Sequence, residues 1–218
     1  MRPLIVIDGY IAELDGALRG PRQAKADLIT EARDSLVDAT EAYESRGLSP
    51  EAAQRRAVCE FGGVREIAPG YQAELGLAQA RRTGLLVFVV LVMQTVVSEY
   101  AWRSAAEGRT FRPDPGYMFL AELVDRLSIA ACVAALAVVA ACGIGVRYFG
   151  ARRSLARITG VFALSVCGFF TVAGLVLTVL SPVAAALLTN ALNLALMPLF
   201  WGAPAWIALS ARRCLRAA

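Results

Sequence analysis

The chain contains no histidine, and Lys25 is its only lysine. Without imidazole, the commonest biological acid–base catalyst is missing, and so is the commonest metal ligand. The five cysteines (Cys59, Cys132, Cys142, Cys167 and Cys214) include no C-x-x-C pair. A zinc site needs several convergent Cys or His ligands, so no metal is expected, and no disulfide framework is implied. Three of the five lie in apolar runs, where Cys behaves as a small hydrophobe. The phosphate-binding pattern G-x-x-x-x-G-K-[ST] is absent, so no ATPase of that type is built in. A secretory leader is not expected either, because Asp8, Glu13 and Asp15 follow the first apolar residues at once. Nor does any carboxylate follow Asp125.

What is present is grease, unevenly spread. The 218 residues are 57% hydrophobic with a mean hydropathy of +0.55, too apolar for an ordinary soluble domain. Residues 1–83 hold 13 of the 18 acidic residues and 11 of the 22 basic ones. The chain therefore divides into a small polar N-terminal module (1–78), a basic juxtamembrane linker (79–83) and a membrane domain (84–218). The expected fold is all-α: a module of three to four helices followed by a four-helix transmembrane bundle.

The module reads as helices with marked ends. Ile7, Tyr10, Ile11, Leu14 and Leu18 recur at helical spacing. Gly20-Pro21 punctuates, and Pro21 suits the first position of the next helix. Ala24, Leu28, Ala32, Leu36, Ala39 and Tyr43 form a second apolar stripe, beside the acidic pair Asp34 and Asp38. Gly47 stands where a helix C′ residue belongs. Ser49, Pro50 and Glu51 then make a helix start, and Gly62-Gly63 stops that helix after Phe61. A fourth pattern, Val64, Ile67, Tyr71 and Leu75, is expected to be interrupted by Pro69-Gly70. The predicted core is Leu14, Leu28, Leu36, Tyr43, Phe61 and Tyr71.

No catalytic constellation emerges. Cys59 lies one turn from Arg55 and Arg56, which would favour a thiolate, but no base stands beside it. The basic clusters Arg22/Lys25 and Arg55/Arg56 sit in a net-acidic module, which argues against direct nucleic-acid binding. No enzyme activity and no cofactor are expected, and a protein-binding face is the better functional reading.

The run from Tyr10 to Leu75 resembles the permease prefix domain of actinobacterial membrane proteins, within the wider group of HAAS-type helical domains. Tyr10, Glu13, Leu14, Leu18, Arg19 and Gly20 match Y-x-x-E-L-x-x-x-L-R-G. Gly47, Ser49, Pro50, Glu51, Ala52, Ala53, Ala57, Phe61 and Gly62 match the G-(L/S)-S-P-E segment ending in F-G, and Ile67 and Ala68 follow. Gly63-Val64 replaces the frequent Asp-Pro. The resemblance covers about residues 5–78. It implies a membrane partner of a PadR-type transcription regulator, or, in other architectures, a segment preceding an ABC-type permease. It brings no enzymatic residues.

Four apolar runs follow, at about 84–101, 127–146, 158–180 and 183–209, each long enough to cross roughly 30 Å of hydrocarbon as a helix. Arg81 and Arg82 precede the first run. Arg147, Arg152, Arg153 and Arg157 separate the second and third, and Arg212 and Arg213 follow the fourth. All fall on one side, so the positive-inside rule predicts a multi-pass protein of the bacterial cytoplasmic membrane with both termini cytoplasmic. Gln94, Asn190 and Asn193 are the intramembrane polar candidates, read chiefly as interhelical contacts. The leading expectation is a membrane-anchored regulatory or signalling protein whose module binds a soluble PadR-type regulator. The alternative is an accessory or permease subunit docked on an ABC ATPase. Membrane lipid is the other partner, and the sequence leaves the oligomeric state open, a homo-oligomer included.

Overall fold

A computed structural model describes residues 4–106, 114–144, 152–181, 202–212 and 214–215. Among these the chain is all-helical, with no strand. The helices are α1 (Ile5–Ala17), α2 (Arg22–Ser45), α3 (Pro50–Phe61), α4 (Val64–Ala106), α5 (Pro115–Ile144) and α6 (Arg152–Leu180). Residues 202–212 form a further helix, α7. The chain divides into two compact units with a boundary between Gln79 and Ala80.

In the N-terminal unit, α1, α2 and α3 pack with the first turns of α4 around Ile7, Leu14, Leu36 and Leu75, all fully buried. Leu28, Tyr43, Phe61 and Tyr71 pack against this cluster from its partly buried rim. The helix ends follow local chemistry. Gly47 and Gly62 have φ of +94° and +105°, a region that costs an L side chain strain. Pro50 occupies the first turn of α3.

Three expectations at helix ends are corrected. Pro21 sits one position earlier than the first-helical-residue placement, because α2 begins at Arg22 and the Pro21 carbonyl accepts the Lys25 N–H at 2.9 Å. Its φ of −58° suits either position. Ser49 stands at the N-cap of α3, but its hydroxyl makes no cap bond; its carbonyl accepts the Ala53 N–H at 2.9 Å. Pro69-Gly70 does not interrupt the fourth helix, since α4 runs through it. As the sixth residue of α4, Pro69 forfeits a single intrahelical bond. The turn before it is anchored by Glu66 and Ile67 N–H groups on the Gly63 carbonyl. Residues 79–83 are likewise helical, inside α4.

Among the described residues, three helices are long and apolar enough to cross a membrane, in the stretches Val64–Tyr100 (which begins in the first unit), Pro115–Gly143 and Leu155–Leu180. The fourth apolar run, 183–209, lies outside the described residues up to 201. In the second unit the packing is inverted relative to a soluble core. Small residues are buried, with Ala135, Ala163 and Ala211 at 0% exposure, while Val133 and Val179 stand 62% and 74% exposed. Val87 and Leu91 of α4, Ala131 and Ala135 of α5, Ala163 and Val166 of α6 and Ala203, Ile207 and Ala211 of α7 form one cluster. Close backbone approach over small residues is the packing that joins helices in lipid, where hydrophobic drive between them is absent. This architecture is compatible with a membrane protein.

Candidate functional site

Within the N-terminal unit, side chains from distant helices complete each other's ends. The first N–H groups of a helix have no intrahelical acceptor, and Leu4 ahead of α1 supplies no side-chain cap. The buried Gln54 of α3 fills that role, its Oε1 accepting the Val6 N–H at 3.2 Å. Tyr10 stacks edge-on against Phe61, ring centroids 5.9 Å apart, and its hydroxyl donates to the Gly62 carbonyl at 2.9 Å. Gln72 clamps the loop between α1 and α2: its Oε1 accepts the Arg19 N–H at 2.9 Å and its Nε2 donates to the Arg19 carbonyl at 2.7 Å. Gly20 beside it admits Leu75, since a Cβ there would lie 2.9 Å from Leu75 Cβ. The apolar stripes are legible in the sequence, but nothing in it marks Gln54 or Gln72, whose pairings are 48 and 53 residues apart in the chain.

The surface of this unit is ionic. Lys25–Asp15 (3.1 Å) and Arg33–Asp8 (2.6 Å) join α2 to α1. The Tyr43 hydroxyl donates to Glu60, which also receives Arg56 at 2.6 Å, and Arg46 lies 5.7 Å above the Tyr43 ring. The hydrogen bonds from Tyr43 and Arg56 hold the Glu60 carboxyl below its ordinary range, and the Glu60 partner raises the Tyr43 phenol. Burial raises the Tyr10 and Tyr71 phenols. One feature has no such partner. Asp27, Glu31, Asp34, Asp38 and Glu41 are exposed along one face of α2 and form no salt bridge among the described residues. Their alternating four- and three-residue spacing makes a row about 21 Å long.

Cys59 is exposed, free and in no disulfide. Among the described residues no group of three His, Cys, Asp or Glu is placed to hold a metal.

In the second unit, Gln94 lies half-buried on α4. Asn190 and Asn193 lie outside the described residues, as do Arg147 and Arg213. Arg152 and Arg153 open α6. Arg81, Arg82, Arg157 and Arg212 are exposed. The structure brings these four to one end of the unit. Thr83 and Ser210 hydroxyls bond at 2.8 Å, joining α4 to α7. The Cys214 thiol donates to the Ala156 carbonyl at 3.1 Å, and a Cβ on Gly160 would lie 2.8 Å from Leu215 and 3.4 Å from the Ala211 carbonyl, joining α6 to the same segment. Elsewhere along the unit Thr95 and Ser128 approach at 3.4 Å, and there Glu99 pairs with Arg103 and Glu122 with Arg126, each at 2.6 Å.

The class these observations define is an all-helical protein with membrane-compatible helices and a separate polar helical unit. Comparison with models of protein families, with curated proteins and with solved structures gives no match.

Proposed function

We propose that this chain is a membrane-anchored regulatory protein whose N-terminal helical unit binds a soluble partner. The observation that carries the reading is the carboxylate row of α2. The unit closes its own core and ties α2 to α1 with the ion pairs of Lys25 and Arg33, yet leaves Asp27, Glu31, Asp34, Asp38 and Glu41 exposed and, among the described residues, without salt bridges. A row of like charge presents a negative potential that a positively charged surface complements, so the partner of this reading presents basic residues. A DNA-binding regulator carries such a surface by necessity. The resemblance of residues 5–78 to permease prefix and HAAS-type domains points to the PadR type. Docking on α2 would occupy the regulator's basic face and hold it at the membrane away from DNA.

The anchor is a multi-pass domain in the bacterial cytoplasmic membrane. The arginines Arg81, Arg82, Arg147, Arg152, Arg153, Arg157, Arg212 and Arg213 support an orientation with both termini in the cytoplasm, where the partner is.

The test is co-purification of the detergent-solubilised full chain with a PadR-type regulator from the same genome. The expected result is a complex at low salt that the double substitution Asp34→Lys, Asp38→Lys abolishes. Failure of the wild-type chain to retain the regulator removes the partner reading. Retention unaffected by the charge reversal removes the assignment to α2.

A further inference from the structure

Two electrostatic classes stand out among the described arginines of the second unit. Arg103 and Arg126 each hold a carboxylate one turn away, at 2.6 Å. Arg81, Arg82, Arg157 and Arg212 are exposed and have no ion-pair partner among the described residues. The two classes lie at opposite ends of the helices. Glu99 is 18 residues along α4 from Arg81, about 27 Å at helical rise. Asp125 is 17 residues along α5 from Cys142, about 26 Å. The contacts between Thr83 and Ser210 and between Cys214 and Ala156 gather α4, α6 and α7 at the unpaired end. Gly84 brings α5 to the same place, since a Cβ on it would lie 3.1 Å from Val139. All four guanidiniums therefore project from one end of a unit whose sides are apolar.

We propose that this arginine ring is a binding surface for the headgroups of anionic phospholipids. A guanidinium presents a planar fork of donors that matches phosphate oxygens in pairs. In a membrane, the end of an apolar helix bundle lies at headgroup depth, where lipid phosphates are the abundant anions. The helices place the forks there and no internal carboxylate competes for them. The paired arginines at the other end are neutralised within their own helices and lack this capacity. The inference rests on the membrane reading above and is independent of the regulator.

The experiment titrates the full chain, purified in a neutral detergent, with phosphatidylglycerol or with phosphatidylcholine of the same acyl chains. Bound lipid is counted by native mass spectrometry. The wild type is expected to prefer phosphatidylglycerol. The variant Arg81→Gln, Arg82→Gln, Arg157→Gln, Arg212→Gln is expected to lose that preference by roughly 600-fold, since each of the four arginines near an anionic surface contributes about fivefold. It should keep its phosphatidylcholine adducts. The control Arg103→Gln, Arg126→Gln should behave as wild type. Because the fourfold variant could fail to fold, the wild type is also titrated at about 0.05 M and about 0.5 M salt, where exposed charges are strongly screened. The preference should shrink at high salt. Inorganic phosphate alone should not compete at millimolar levels; effective competition would assign the ring to a soluble anion and overturn the lipid assignment. Equal binding of the two lipids by the wild type, or an undiminished preference in a folded fourfold variant, overturns the proposal. Failure to bind either lipid counts instead against the membrane reading itself.

Discussion

The hydroxyl of Tyr10, on the first helix, donates a 2.9 Å hydrogen bond to the carbonyl of Gly62, the residue that ends the third. Fifty-two residues of chain are closed by that contact. It satisfies a carbonyl at a helix terminus, where the intrahelical donor has run out. Tyr10→Phe keeps the ring against Phe61 and deletes only the bond. The expected cost is about 1 kcal/mol, read as faster hydrogen exchange in α1 and α3 with α5 and α6 unchanged.

The same phenol makes the unit sensitive to alkali. Burial, then the Tyr71 and Glu13 neighbours, raises Tyr10 above its ordinary 10.0. A raised folded value means the folded state holds the proton more tightly. The stabilisation is complete below pH 10 and is lost as pH rises through the folded value. Tyr71, raised chiefly by burial, acts in the same direction. Exchange protection in the N-terminal unit should fall above pH 10, and less steeply in Tyr10→Phe. An identical fall in both proteins would remove Tyr10 from the account.

Glycine substitutions separate two backbone situations. Gly62 has φ of +105°, and a Cβ there would lie 3.3 Å from the Ile67 side chain. Gly62→Ala is expected to destabilise the unit by about 1–3 kcal/mol. Gly9 lies within α1 with nothing near its missing Cβ. Gly9→Ala should stabilise by about 0.5–1 kcal/mol. Thermal unfolding of the two variants should therefore bracket the wild type.

Gln72 holds both polar groups of the Arg19 peptide. Gln72→Ala removes both bonds, with an expected loss of about 1–2 kcal/mol. Proteolysis between α1 and α2, at Arg19 or Arg22, should accelerate in parallel. Unchanged cleavage there would show that Leu75 packing alone holds the loop.

These particulars mark where the sequence was readable. The 3.6-residue period in α1 and α2 points to Leu14 and Leu36, because one apolar face must be buried, and both are at 0% exposure. Gly47 and Gly62 were readable because a left-handed turn has almost one residue to choose from. Gln54 and Gln72 were not, since a polar side chain that bonds a remote backbone leaves no local period. Pro69 misled because its local penalty, one lost bond, is small beside the packing of Tyr71 and Leu75 on either side of the next turn. The arginine clusters and the lack of carboxylates after Asp125 are legible in the sequence, but that Arg81, Arg82, Arg157 and Arg212 share one end without ion-pair partners among the described residues is a three-dimensional fact. The row on α2 showed in part, as Asp34 and Asp38.

Thiol chemistry tests the second unit. Cys214 is fully buried, whereas Cys59 is exposed. In detergent, a maleimide should modify Cys59 rapidly and Cys214 slowly. Gly160→Ile drives a side chain into Leu215 and should speed Cys214 modification roughly tenfold or more, the change that about 1–3 kcal/mol of overpacking produces. Gly174→Ile, with open space around it, should leave that rate alone.

Alanines inside and valines outside also dictate how this unit tolerates change. In a soluble protein the interior accepts apolar exchange of similar volume and the surface accepts polarity. Here the permissions are reversed. In the membrane reading, the exposed Val133, Val172 and Val179 can be traded for other apolar side chains, because lipid would be their neighbour. Ala135, Ala163 and Ala211 cannot grow by a single methyl group without prising two backbones apart. Sequence drift should therefore enlarge, shrink and reshuffle the outer faces while the inner seams stay small.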